Sequence, residues 1–293
     1  MIQRKIKFRP LDAVILVLII ALFAYIYYRV KYGLQYNTDW SIIPQFLFYR
    51  DAETGAISAS FLVDGFVNTL KLSFWAIIFG TMAGIIMGVF RTSKSLLLRM
   101  IGRTYVELIR NVPPIVLIYL FYFFFADQLM RLFGVEEFIR GLSDSNKSIM
   151  TFLFADEALF TQFLSGIITV AFFEGAYITE IIRSGIDSIE RGQREAAYSL
   201  GLSMIDQMRF IIMPQAIKRV LPPLANEFIN TIKYSALASV ISIQELTFMG
   251  RSAIESTGKI FEVWITVSLM YLILTMSLST FVGKLEKKMA ASD

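Results

Sequence analysis

The sequence predicts an all-α integral membrane protein, and three observations carry that reading. Hydrophobic residues make up 56% of the 293-residue chain and charged ones only 18%, more apolar surface than a soluble domain of this size buries. Runs of about 20 mainly apolar residues, the length that crosses a hydrocarbon core about 30 Å thick, recur between charged segments. There is no cysteine and no histidine. Disulfides, the usual zinc sites, imidazole triads and thiol chemistry are therefore excluded, which counts against an enzyme.

Taken in order, the candidate spans are Leu11–Tyr28, Phe61–Phe90, Tyr105–Ala126, Leu159–Ile182, Pro222–Ile243 and Ile260–Val282. The first follows the basic MIQRKIKFRP, so a cleaved signal peptide competes with a retained helix; no A-x-A-like site follows and the bulky AYIYYRV closes the run, which favours retention. A polar linker containing YRDAETGAISAS leads to the second span, where Gly80, Gly84 and Gly88 repeat the spacing that lets helices approach closely. Packing within one subunit is the expectation there, ahead of a subunit-subunit contact. With the N-terminus inside, the inner segments (Arg4 and Lys5 to Lys287 and Lys288) hold about twice as many Lys and Arg as the eight of the outer segments, so both termini are expected in the cytoplasm. The chain thus divides into residues 1–60 (first helix and outer linker), 61–283 (the transmembrane domain) and a cytoplasmic tail, 284–293.

Between the fourth and fifth spans lies REAAYSLGLSMIDQMRFIIMP, too polar and broken to cross a bilayer. Gly192 to Leu200 has a helix pattern with a small-residue face at Ala196 and Ala197, and Gly201 is placed to end it in a left-handed turn. Ser203 with Asp206 three residues on reads as the start of a second helix. Two short helices at a sharp angle on the cytoplasmic surface suit insertion into a cleft of another protein; an interfacial helix lying in the headgroups is the alternative.

The pattern Glu195-Ala196-Ala197, three residues, Gly201, nine residues, Ile211, one residue, Met213-Pro214 resembles the EAA loop, here residues 194–214, of the membrane subunits of binding-protein-dependent ABC importers; only Met213 replaces the usual Leu. GAYITEIIRSGIDSIERGQREAA, PQAIKRVLPPLANEFINTIKYSALASVI, GFVNTLKLS and YVELIRNVPP are similar to segments of the branch that imports polar amino acids. Departures are Glu190 for a common Pro, Pro114 and Leu117 for Leu and Gln, and Tyr234-Ser235-Ala236 for Asp-Thr-Ser. The resemblance covers about residues 61–288. It implies a type I ABC importer transmembrane domain, a five-helix core with one extra N-terminal helix, in the bacterial inner membrane. It also implies partners: a cytoplasmic ABC ATPase dimer, a second permease subunit, identical or related, and an extracytoplasmic amino-acid-binding protein. Docking on the ATPase falls to Glu195, Ala196, Ala197 and Gly201, with Ser203 and Asp206. No nucleic-acid partner is expected.

Charges inside the spans supply the remaining candidates, because an unpaired ion in hydrocarbon is costly. Glu107 with Arg110 and Glu180 with Arg183 are spaced as i, i+3 pairs near inner ends, and Lys71 can snorkel at the outer interface. Glu174 differs. It lies nine residues before Arg183, about 14 Å up the helix and near mid-depth, and is read as lining a path, where a carboxylate can hold a substrate ammonium. Asn226, Asn230 and Lys233 recur at i, i+4 and i+7 with Glu227 beside them, giving one polar face; path lining and a hydrogen-bonded helix contact stand level for this cluster. Asn68, in the outer part of the second span, completes the path candidates.

Three function classes compete. A permease subunit of an ATP-driven amino acid importer explains the loop. An ion-coupled secondary transporter would commonly carry paired internal repeats, and none is found. A membrane enzyme or scaffold leaves the loop spacing unexplained. The chain has no G-x-x-x-x-G-K-[ST] phosphate loop, since Thr257-Gly258-Lys259 lacks the first glycine and the hydroxyl residue. No catalytic or metal-binding residue is therefore assigned, and ATP and magnesium are expected on the partner ATPase.

Overall fold

In the computed structural model, which describes residues 10–33, 36–50 and 55–290, the chain is almost entirely helical. The basic residues Arg4, Lys5, Lys7 and Arg9, part of the polar linker and the last three residues lie outside the described residues. Helix α1 (Pro10–Tyr28) is apolar all round and buries none of its residues, as expected of a helix whose neighbours are lipid. After it a 3-10 turn at Trp40–Ile42, capped by Asp39 on the Ser41 amide at 3.0 Å, leads into the short α2 (Ile43–Leu47) and a hairpin of β1 (Phe48–Arg50) against β2 (Ile57–Ala59).

The bundle begins with α3 (Phe61–Thr92). It is followed by the amphipathic α4 (Leu96–Asn111), by α5 (Pro114–Phe121), which continues through a π turn into α6 (Asp127–Leu132), and by the short α7 (Val135–Arg140) and α8 (Asp144–Leu153). Next come α9 (Glu157–Asp187), α10 (Arg191–Ser199), α11 (Met204–Asp206), α12 (Met213–Tyr234), α13 (Leu246–Thr257) and α14 (Ile260–Ala290).

Two of the expected spans are corrected. Tyr105–Ala126 is broken at Val112-Pro113: a proline cannot donate to the preceding turn and pushes the residue before it out of the α region. The spanning helix is Pro114–Leu132, while Tyr105 belongs to α4. In the fifth span the helix starts at Met213 and passes through Pro222 and Pro223 to Tyr234, after which a 3-10 stretch runs to Ile241. Five helices are apolar and long enough to cross a membrane among the described residues. Helix α12 is too polar to join them by composition, yet it packs in the bundle against α9 and α14.

The principal contact is α3 on α9. A Cβ at Gly84 would come within 2.5 Å of Ile178 Cγ2, and one at Gly88 within 2.6 Å of Ile182 Cγ2. The glycine stripe is therefore filled from inside the subunit, as expected. Above it Leu72, Ala76, Ile118, Ile167, Val170 and Ile243 form the main core. A second core of Ile43, Leu62, Leu246, Val263 and Val267 joins the linker to α13 and α14. The linker is also held by polar bonds: the fully buried Glu262 accepts from Tyr36 Oη at 2.5 Å and from the Asp39 amide at 2.6 Å, and Lys259 Nζ donates to the Asn37 carbonyl at 2.7 Å.

Candidate coupling loop and translocation path

At one end of the bundle α9 turns into α10, and the sequence expectation of a broken helix pair is met within one residue at each end. Gly201 has φ +75°, and the bonds around it form a Schellman motif: the Gly201 amide donates to Tyr198 O at 2.9 Å and the Leu202 amide to Ala197 O at 3.2 Å. Ser203 then opens the next helix, its Oγ accepting from the Asp206 amide at 3.2 Å and donating to Asp206 Oδ2 at 2.6 Å. The knob is fixed to the bundle by the buried Ala197 and by Arg194 Nη2, which donates to Ile186 O at 2.9 Å. Glu195 and Ala196 are exposed, and so are large apolar side chains: Tyr198 and Leu200 at 78% and Ile205 at 77%. The turn thus carries exposed large apolar side chains at both ends of the break.

Away from the knob, the path candidates divide. Glu174 is fully buried, packed at its Cβ against Gly80, and neither carboxylate oxygen has a hydrogen-bond partner. Glu227 and Thr231 of α12 lie beside it. Asn230 Nδ2 donates to Glu227 Oε2 at 3.2 Å. These groups converge, but between helices of one subunit rather than on an open face, so a path past Glu174 requires α9 and α12 to part. The predicted single polar face of α12 is split: Asn226 and Lys233 point outward, Glu227 and Thr231 inward, Asn230 at the seam. Asn68 is elsewhere. Its Nδ2 donates to Gln244 O at 2.9 Å, and it precedes Gly80 by twelve residues, about 18 Å along α3.

The paired charges also need one correction. Glu107 takes Arg103 at i, i+4 (2.9 Å) rather than Arg110, which turns off the end of α4 toward Glu180 at 4.0 Å. Glu180 and Arg183 pair as expected at 2.6 Å, joined by Arg91 at 2.8 Å. Lys71 Nζ reaches Thr151 O at 2.8 Å. Residues that the sequence reading passed over complete the region. Tyr177 and Tyr234 stack with centroids 6.4 Å apart, and the Arg110 guanidinium sits over Tyr177 at 5.6 Å. The available signal was a 3-4-3-4 spacing on α9, through Glu174, Tyr177, Ile181, Ser184 and Ser188.

A multi-helix bundle with an anchored apolar knob at one end, and buried carboxylates on the two helices that enter and leave it, defines the membrane component of a transport system. The chain belongs to the family described as binding-protein-dependent transport system inner membrane component, matched over residues 80–291. It is 34% identical to the probable glutamine ABC transporter permease protein GlnM of Bacillus subtilis over 80% of this chain and 95% of that one. It is 31% identical to the glutamine transport system permease protein GlnP of Escherichia coli over 78% and 92%. Among solved structures, an amino acid ABC transporter crystallised with histidines superposes with a TM-score of 0.65 at 28% identity, covering 86% of this chain and all of that one. The inward-facing MetNI methionine ABC transporter shares the fold, with a TM-score of 0.58 at 18% identity. The protein is a multi-pass inner-membrane component of an ABC-type importer.

Proposed function

We propose that this chain is the permease subunit of an ATP-driven importer of polar amino acids, glutamine being the first cargo to test. The relatives of known cargo support the class of substrate. The observation that carries the coupling assignment is the knob at Arg191–Asp206, a rigid left-handed turn presenting exposed apolar side chains. In this reading the knob faces the cytoplasm, both termini lie on that side, and the ATPase dimer that binds ATP and magnesium receives Glu195, Ala196, Ala197, Gly201, Ser203 and Asp206 in a groove. Closure of the ATPase on nucleotide moves the knobs of two paired permeases, and α9 and α12 separate so that cargo delivered by the binding protein passes Glu174, Glu227 and Asn230. Asn226 faces away from these groups and is assigned to the contact with the second permease. Asn68 grips the connection before α13 and is assigned to the outer gate.

Uptake of a panel of amino acids into proteoliposomes, with and without the separate ATPase and with and without ATP, tests the proposal. Uptake of glutamine or another polar amino acid only in the presence of both is expected. ATP-independent uptake driven by an ion gradient would overturn it.

A further inference from the structure

At the knob end of the bundle, α4, α9 and α12 border an open cavity of about 510 Å³ lined in part by Arg110, Glu180, Arg183, Ser184, Ser188 and Arg219. Its charge is one-sided. Glu180 is committed to Arg91 at 2.8 Å and Arg183 at 2.6 Å, and Arg183 also holds Asp187 at 2.6 Å. Arg110 comes only to 4.0 Å from Glu180, beyond hydrogen-bond range, and its side chain is 46% exposed. Arg219, at the cavity's edge, donates from Nη1 to Ser188 O. Three guanidiniums and one carboxylate thus line the cavity. A planar guanidinium fork with free donors, set in a concavity, is matched to a carboxylate.

The buried acids lie further along the same two helices, Glu174 on α9 and Glu227 on α12. Tyr177, over whose ring Arg110 sits, is also within electrostatic reach of Glu174 and Glu227. Down α9 the same stripe carries Glu174 and Tyr177 above and Ser184 and Ser188 at the cavity. Tyr177 therefore has the two acids on one side of its reach and the Arg110 guanidinium over its ring. We propose that this cavity is an exit subsite of the permease, in which Arg110, assisted by Arg219, takes the carboxylate of the amino acid as its ammonium leaves Glu174 and Glu227. The assignment rests on the amino-acid reading above and adds a residue that sets preference for a free carboxylate.

The test is binding of radiolabelled glutamine to the nucleotide-free permease–ATPase complex in phosphatidylcholine nanodiscs, without binding protein, displaced by unlabelled glutamine or by its α-carboxamide. The wild-type complex should prefer the free acid at least tenfold. Arg110→Gln should reduce that preference below threefold, Arg110→Lys should keep part of it, and Arg219→Gln, on a different helix, should also lower it. Full preference in both Gln variants overturns the subsite and leaves the importer reading standing. A wild-type complex that binds no amino acid also overturns the subsite, while the importer reading is decided by the uptake assay above. An anionic lipid headgroup is the other source of the same chemistry: wild-type complex that binds glutamine without acid preference, and that retains phosphatidylglycerol through purification only when Arg110 is present, would also overturn the assignment.

Discussion

Gly201 is the residue on which the knob turns. Its φ of +75° is one an L side chain adopts at a cost of about 1–2 kcal/mol, and a Cβ there would meet no atom within 4 Å. The strain of a substitution is thus in the backbone and not in the subunit's packing. Gly201→Val should insert and assemble in the membrane but abolish substrate-stimulated ATP hydrolysis, whereas Gly201→Asn, which tolerates the left-handed region, should keep part of it; normal stimulation in assembled Gly201→Val complex would remove the coupling role. Glu174 poses the opposite case, a side chain enclosed without a hydrogen bond. Glu174→Gln is nearly isosteric, so the amount of assembled complex should hold while uptake per complex falls several-fold, more for a cationic than for a neutral amino acid. Uptake normalised to complex decides this, since a purely structural role would lower the amount and leave the turnover.

Helix α13 shows what one buried acid does at the level of an element. Glu245 precedes it and caps it, accepting from the Thr247 amide at 2.9 Å, the Phe248 amide at 2.8 Å and Tyr271 Oη at 2.7 Å. Burial nevertheless outweighs these bonds and raises its pKa from 4.5 to about 7. The folded state then holds the proton more tightly than the unfolded chain. Its contribution to stability is complete below about pH 4.5, is lost as pH rises toward 7, and is flat beyond. Thermal unfolding of the purified protein should show a lower midpoint at pH 8 than at pH 5.5, and Glu245→Gln should flatten most of that difference. An identical pH profile in the variant would show that Glu245 does not set it. The elements also show what could be read in advance. The glycine stripe of α3 and the Gly201 turn are local: their spacing fixes them, and both were legible. The α4–α5 break was signalled by Pro113-Pro114 but lost beneath a continuous apolar run. The outward side of Asn226 and the approach of Arg110 to Glu180 were not legible, because which side of a helix faces a neighbour, and which acid an arginine meets, depend on packing between α4, α9 and α12 that no local spacing contains.

For the molecule as a whole, the relatives are covered nearly end to end while about a fifth of this chain remains over. The N-terminal region contains two physically different parts. Helix α1 buries nothing within the subunit, but the linker behind it fills a core with Ile43 and occupies the Glu262 carboxylate. Deleting residues 1–33 should leave the melting temperature of the subunit within a degree or two. Deleting residues 1–59 removes both donors of Glu262 and takes Ile43 out of the second core, and should lower it by several degrees. Equal melting of the two truncations, measured in the same detergent, would show that the linker is an appendage. Composition made the membrane class plain from the outset, whereas this division between a loose helix and a fastened linker rests on Glu262 finding partners 226 and 223 residues away, a pairing invisible in any window of sequence.

The two prolines inside α12 acquire a mechanical meaning from where the knob lies. Helices α9 and α12 enter and leave the same bend, like the arms of a pair of tweezers held at the spring, and each carries one of the facing acids. A push on the spring that both arms transmitted alike would carry the acids along together and leave their separation unchanged. The arms are not alike. Between Glu157 and Asp187 there is no proline, while Pro222 and Pro223 interrupt α12 between the knob and Glu227, and a helix yields where its amide donors are missing. In the proposed coupling, a load on the knob would bend α12 more readily than α9, and that unequal compliance would convert a displacement of the bend into a widening of the gap.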